Sequence, residues 1–569
     1  MPLGLMHLHF KLPHSPNQRI YTVNTMLIRA LLVVLVSASS LFAQVGFDRI
    51  LRANQEPQNW LTYSGGFAGQ RYSTLAQITP ANIANLEMKW AFQVRSLERF
   101  ETTPLVVDGT MYMTQPPNDI FALDAATGQV KWMYSYSPSR DARPCCGRVN
   151  RGVAILGNTL YMGTVDAHLV AVNATDGKLL WDIEIAKAAS GYAITHAPLV
   201  IKDKVIVGTA GGEYGIRGFI AAYDVVTGKE AWRFYTIPGK GEKGNETWTG
   251  DSWMRGGASV WVTGTYDPDL NLTYWGIGNP GPDWNGDDRG GDNLYSSSVV
   301  ALDADTGKLK WYFQFTPHDV WDYDSTQIPV LTDMNWTGKD GRTQPRKVMV
   351  FANRNGFVYT LDRTNGQFLM GKPYVKVTWA TGLDEVGRPM RAPGMEPSAG
   401  GTKIFPSVTG GTNWYSPSYS PRTGLLYVPS WESVEGTMNK LDTPYVEGNR
   451  FTGGTPTATI RGYQQFRPNR SDADGYGMVK AIDPKTGDRK WEFKMNDVTS
   501  SGILTTASDL LFTGGREGFF QALDARDGKL LWKVPAGGDI IMGPMTYQVN
   551  GKQYVLFSAG SSMFSFGLK

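Results

Sequence analysis

Apolar residues at alternating positions such as Phe121 and Leu123, with Tyr112 before them, give the period of a half-buried strand. The alternation breaks at Asp124-Ala-Ala-Thr-Gly128 and resumes toward Trp132. That break predicts a hairpin turn, with the Asp bonding nearby backbone and the Gly taking a positive φ. The unit recurs at 122–132, 171–181, 222–232, 301–311, 481–491 and 522–532. In each copy the tryptophan (Trp132, Trp181, Trp232, Trp311, Trp491, Trp532) stands four positions after the glycine. A degraded copy at 360–366 lacks the tryptophan, and a shortened form stands at 420–427. An indole is a large apolar surface that needs a neighbour, so each repeat is expected to dock on the next. Units stacked radially and closed into a ring protect their strand edges. Six strong copies, one weak and one vestigial thus predict an all-β, eight-bladed β-propeller with tryptophan-docking repeats and four strands per blade. Spacings of 49 and 51 residues between the first three tryptophans, then 79 to Trp311, place long loops in particular blades. Loops are where function concentrates. No Pro- or Ser-rich linker separates the copies, so 44–569 reads as one domain.

The first 43 residues read as a leader. Arg29 precedes Ala30-Leu-Leu-Val-Val-Leu-Val36, and small residues follow to Ala43. This is the order of a secretory signal cleaved near Ala43, and the apolar run is too short to span a bilayer. The chain is therefore expected in the periplasm. Met26 lies just before the signal, so either Met1 or Met26 serves as the start. Residues 1–43 hold Lys11, Arg19 and Arg29 and no acid, so their removal brings 55 basic residues to 52, matching the 52 acidic ones. A balanced charge gives no electrostatic case for nucleic acid or anionic membrane as partner. A composition with 65 Gly, 18 Trp and 26 Tyr suits short strands and tight turns.

The only two cysteines, Cys145 and Cys146, are adjacent. Their Cα atoms lie about 3.8 Å apart across a trans peptide, below the roughly 4.4–6.8 Å that disulfides prefer. A bond between them closes a strained ring best kept in an oxidising compartment; two reduced structural thiols are the other reading. No Cys-x-x-Cys-His occurs, so no covalent haem site is encoded.

Tryptophan-docked repeats, a leader and Cys145-Cys146 followed by Val149-Asn-Arg-Gly152 resemble the methanol/ethanol family of quinoprotein alcohol dehydrogenases, over nearly all of 50–569. The resemblance implies a Cys145–Cys146 disulfide and pyrroloquinoline quinone (PQQ) sandwiched between that ring and the indole of Trp261, in Gly256-Gly-Ala-Ser-Val-Trp261. It implies metal ligands at Glu213 in Gly-Gly-Glu213-Tyr-Gly, Asn279 in Gly-Asn279-Pro-Gly-Pro, and Asp322 in Pro317-His-Asp-Val-Trp-Asp322-Tyr-Asp324. Carboxylate and amide oxygens suit a hard cation such as calcium rather than zinc or copper. Glu101, Arg151, Thr195, Arg354 and Asn413 are expected at the quinone's polar rim, where cationic and amide donors bind carboxylates and polarise a carbonyl. Gly211 and Gly212 allow close backbone approach. Ser259 stands where methanol enzymes tend to carry Thr, and Thr499-Ser-Ser-Gly502 where they carry a tryptophan under the ring. The second departure favours the broader alcohol group over methanol.

Asp324 is the sharpest detail. Calcium-dependent relatives carry a small uncharged residue two positions after the catalytic aspartate, whereas lanthanide-dependent methanol dehydrogenases carry Asp. Positions 322 and 324 share one side of an extended segment, so Asp324 is expected to add an anionic ligand, which a trivalent ion exploits more than a divalent one. The implied reaction oxidises a primary alcohol to the aldehyde, with Asp322 as general base and electrons leaving to a separate cytochrome c. The alternatives are a calcium-dependent dehydrogenase for larger alcohols or polyols and a non-catalytic propeller scaffold. The scaffold needs neither the paired cysteines nor the Glu213/Asn279/Asp322 set.

Overall fold

The computed structural model describes residues 45–338, 340–460 and 471–569; the leader lies outside them. Within Gly46–Lys569 the repeat builds sheet after sheet of four antiparallel strands. In chain order these are sheet 1 (105–134), sheet 2 (154–184), sheet 3 (199–235), sheet 4 (265–314), sheet 5 (330–373), sheet 6 (418–494), sheet 7 (504–535) and sheet 8 (545–568). Sheet 7 gains a short parallel strand, Tyr72–Ser73. Sheet 8 takes its fourth strand from the other end of the chain: Leu86–Gln93 pairs antiparallel with Ser562–Leu568. A two-stranded hairpin (380–391) and a three-stranded sheet (Thr402–Ile404, Gly436–Met438, Thr457–Ala458) are built from the long loops around sheet 6.

The recurring turn joins the third strand of a sheet to its fourth. In sheet 1 the Asp124 carboxylate accepts from the amides of Ala126 and Thr127 and from the Thr127 hydroxyl, and Gly128 turns back at φ +72°. The fourth strand carries the indole onto the turn of the following sheet. Trp132 covers Gly177, where a Cβ would come within 2.7 Å of the ring, and its Nε1 donates to Ala174 O at 3.2 Å. Tyr112 donates to that same carbonyl. The pair recurs as Trp311 with Tyr274 on Arg363 O, and as Trp491 with Tyr427 on Ala525 O. Trp181 covers Gly228, Trp232 bonds Ala304 O and Trp532 packs on Phe566 of sheet 8.

Three features depart from the repeat as read in the sequence. Met370 occupies the tryptophan's place in the degraded copy, lying over Gly487 of sheet 6; its flexible thioether fills the gap. The shortened form at 420–427 is not another copy. Gly424 closes the first hairpin of sheet 6, and that sheet's own copy is 481–491. Sheet 8 has no Asp-x-x-Thr-Gly turn, because its fourth strand arrives from residue 86. That strand still brings Trp90, which bonds Ala125 O of sheet 1 together with Tyr547.

The segments that lead into the first strands of sheets 3 to 8 meet in one apolar cluster. Ala197, Val262, Ile328, Trp414 with Tyr415, Val498 and Ile541 each come from a different sheet. Residues a few positions before those first strands are thereby gathered from across the sequence.

Candidate active site

Several of the residues singled out in the sequence lie on segments of this kind, just before the first strand of a sheet. Glu101, Arg151 and Thr195 precede sheets 1, 2 and 3, and Trp261 precedes sheet 4. Backbone bonds stitch them in order, Thr103 N to Arg151 O and Arg151 N to Thr195 O. Arg151 is buried and joins the group: it pairs with Glu101 at 2.7 Å, donates to Thr195 Oγ1 at 3.1 Å and lies over the rings of Trp261 and Trp414 at 5.2 and 4.8 Å. Asn413 is less available. Its Nδ2 donates to Thr409 O and its Oδ1 accepts from Trp414 N, so the amide holds its own loop.

A second group carries the negative charge. Glu213 sits in the 3-10 turn Gly212–Tyr214 after the second strand of sheet 3. Gly211 enters that turn at φ +114°, so close to Gly191 O that a Cβ would fall 2.1 Å from it. Glu213 Oε1 lies 2.8 Å from Sγ of Cys145, which is bonded to Cys146. A disulfide offers no thiolate, so the carboxylate is the ligand in this trio. Asn279 follows the second strand of sheet 4. Its backbone N donates to Asp324 Oδ1 at 2.9 Å and its Nδ2 to Asp283 Oδ1 at 2.9 Å. Arg354, on the turn after the second strand of sheet 5, reaches Asp324 Oδ2 at 2.5 Å and Asp322 Oδ2 at 3.1 Å. Ser259 and Asp324 crowd Gly278, where a Cβ would meet them at 2.9 and 2.5 Å.

Asp322 and Asp324 converge, but not as alternate residues of an extended strand. The segment 322–326 has no regular structure and Asp322 takes φ +62°, a conformation that costs a non-glycine residue and persists only when its surroundings hold it. Asp319 does the holding. This buried carboxylate accepts from the amides of Trp321 and Tyr323, on either side of Asp322, both at 2.8 Å.

Burial is the first cause of every carboxyl shift here. It pushes Asp322 and Asp283 well above the usual carboxylate range, and it raises Glu213 and Asp324 as well. Their mutual repulsion adds to it, while Arg354 opposes it at Asp322 and Asp324. Asp322 and Asp324 share the Arg354 guanidinium, Glu213 and Asp283 lie within electrostatic reach of them, and buried carboxylates are costly until a cation matches them.

Against known families, residues 60–385 and 388–555 match the model for the PQQ "Glucose/ethanol/alcohol dehydrogenase, beta-propeller domain". The chain belongs to the PQQ-dependent alcohol dehydrogenase family. It is 39% identical to the quinoprotein alcohol dehydrogenase PedH of Pseudomonas putida, over 96% of this chain and 92% of that protein. It is 36% identical to the lanthanide-dependent methanol dehydrogenase of Methylacidiphilum fumariolicum, over 90% of this chain and 86% of the relative. Among solved structures, a europium-containing methanol dehydrogenase superposes with a TM-score of 0.85 at 33% identity, covering 92% of this chain and all of that one. This PQQ-dependent alcohol dehydrogenase is thus an oxidoreductase with the family's β-propeller fold.

The residues present suit the groups that such a dehydrogenase uses. All the candidate cation ligands are oxygen donors, and a carboxylate oxygen of Asp283 is buried beside them with no partner. The disulfide, Trp261 and Arg151 supply a partly open face, an indole and a buried cation. Sequence reasoning missed Asp283, Asp319 and Trp414. Asp283 lies four residues after Asn279, but in Gly-Pro-Asp-Trp it reads as a turn acid. The loop 432–460 also reaches the site, with Phe451 N donating to Glu213 O and Arg450 to Cys145 O.

Proposed function

We propose that this chain oxidises a primary alcohol to the aldehyde, with PQQ between the Cys145–Cys146 ring and Trp261 and one lanthanide ion among Glu213, Asn279, Asp322 and Asp324. The observation that carries the reading is Arg354 on both Asp322 and Asp324, with the Asn279 backbone N on Asp324 and Glu213 beside the disulfide. When bound, the quinone accepts the hydride equivalent and the cation polarises its carbonyl.

The chain's own residues do the rest. Asp322, ionised by Arg354 and the cation, takes the proton of the alcohol hydroxyl at a carboxylate oxygen. Its raised affinity for protons in this buried setting makes it a better base than a solvated aspartate. The Asp319 clamp keeps that carboxylate in one orientation through both half-reactions. Arg151, set by Glu101 and Thr195, offers a fixed positive charge to the quinone's carboxylates. The half-open disulfide and the loop 432–460 limit how much water reaches the proton transfer.

The trivalent assignment rests on Asp324, which adds a third negative charge to those of Glu213 and Asp322 and is tied into the group by Arg354 and the Asn279 amide. The sheets are the eight blades of one ring, with the indoles as docking points. The leader exports the chain to the periplasm, where the vicinal disulfide survives and a separate cytochrome c collects the electrons; no helix among the described residues is long and apolar enough to cross a membrane.

The test is purified metal-free protein reconstituted with PQQ and either lanthanum or calcium, assayed with an artificial dye across a panel of alcohols. Higher turnover with lanthanum is expected. Equal or better turnover with calcium overturns the lanthanide assignment and selects a calcium enzyme; no turnover under any condition overturns the catalytic reading.

A further inference from the structure

We infer that Asp283 is a positioning residue of the cation site, a fourth carboxylate that acts through the Asn279 amide; this rests on reading Glu213, Asn279, Asp322 and Asp324 as the ion's ligands. An asparagine amide has an oxygen end and an NH2 end of nearly the same shape, and only the oxygen can bind a cation. What sits behind the amide decides which end faces forward. Here it is Asp283, 1% exposed, whose Oδ1 accepts from Asn279 Nδ2 at 2.9 Å. An ionised carboxylate accepts and never donates, so it tolerates only the NH2 end and turns Oδ1 away from itself. Pro280 O, 3.3 Å from the same nitrogen, works in the same sense.

The second oxygen, Asp283 Oδ2, is buried without a partner. The nearby buried Arg289 spends its guanidinium on Pro282 O, Asn293 Oδ1 and Asp319 O rather than on this carboxylate. Asp283 lies within electrostatic reach of Glu213 and Asp324, with Arg289 acting on it through space. Asn279 is held between two acids, Asp324 on its backbone N and Asp283 on its side chain. The extra negative charge, passed through the amide, raises the electron density on Asn279 Oδ1 and tilts the site further toward a trivalent ion.

The experiment uses the full-length, metal-free protein with PQQ present, titrated with terbium by its luminescence and with calcium by competition. Asp283→Ala removes acceptor and charge; Asp283→Asn keeps an acceptor of the same shape and removes the charge alone. Outer partners of metal ligands typically carry about 10–100-fold in affinity, so Asp283→Ala is expected to weaken terbium by at least about tenfold. Asp283→Asn should weaken terbium severalfold and calcium less. Luminescence decay in light and heavy water should give the same number of ion-bound waters in Asp283→Asn as in wild type. Terbium affinity within twofold of wild type in both variants overturns the inference, as does one additional bound water, which would make Asp283 a direct ligand. Wild type that binds no terbium would instead sink the underlying site, and Glu213→Ala, expected to abolish binding, separates the two failures.

Discussion

Asp224 ends a strand of sheet 3, Asp322 lies in the irregular segment before sheet 5, and the two live in opposite circumstances. Asp224 sits in the repeating turn of sheet 3, where its Oδ1 accepts from the Thr227 hydroxyl and from the amides of Thr227 and Val226. Those bonds, the hydroxyl first, hold its carboxyl below the usual range. Asp322 has no such cradle. Burial drives it far upward and Arg354 alone pulls it back. The turn aspartate is satisfied by its own next three residues, so it is finished as a structural part. The site aspartate is left wanting a partner from outside, which is the condition for binding and chemistry.

The largest test of that contrast is Asp322→Asn. Removing a positioned general base costs about 10²–10⁴-fold, so turnover should fall by that factor while thermal melting does not fall. A variant that melts early would put Asp322 in the class of Asp224. Next comes the scaffold. Trp132→Ala strips a large aromatic from the contact between sheets 1 and 2 and should cost about 3–5 kcal/mol in urea unfolding, with Met370→Ala at about 2–5 kcal/mol. Third, Asp324→Ala should cut lanthanum-supported turnover by at least about tenfold, the scale of an ion-site partner, with little change in melting. The smallest effect belongs to the turn. Asp224→Ala should cost about 1 kcal/mol and leave activity alone.

The two aspartates also predict opposite pH behaviour. The carboxyl of Asp224 is more acidic folded than unfolded, so its contribution is full above about pH 4 and disappears as pH falls through the folded value. In metal-free protein the site acids are less acidic folded than unfolded. They begin to cost stability as pH rises past about 4, and the cost grows until each reaches its folded value. Added lanthanum should therefore raise the melting temperature more at pH 8 than at pH 5. An equal rise at both would show that the site carboxyls are not strained by burial.

The repeats were legible in the sequence because each is local: the turn, its glycine and its indole fall within eleven residues. Sheet 8 was not legible, since Trp90 and Tyr547 belong together only through strands from opposite ends of the chain. The candidate ligands were found through short motifs that the resemblance made meaningful. Their partners were harder. Asp283 and Asp319 differ from ordinary turn acids only in being buried, and their burial depends on segments far away in the chain. The extended segment expected to put Asp322 and Asp324 on one side is not what brings them together. A positive φ at Asp322, clamped by Asp319, brings both to Arg354.

The pairing of Leu86–Gln93 with Ser562–Leu568 also has a meaning in time. A ribosome releases residue 86 hundreds of residues before its hydrogen-bonding partner exists. The early strand must wait, its edge unpaired, while sheets 1 to 7 assemble from local contacts. Only the arrival of Ser562–Leu568 ends that wait. A chain lacking Ser562–Leu568 would keep most of its sheets and yet hold an open, aggregation-prone strand edge, so this one late pairing is what covers it.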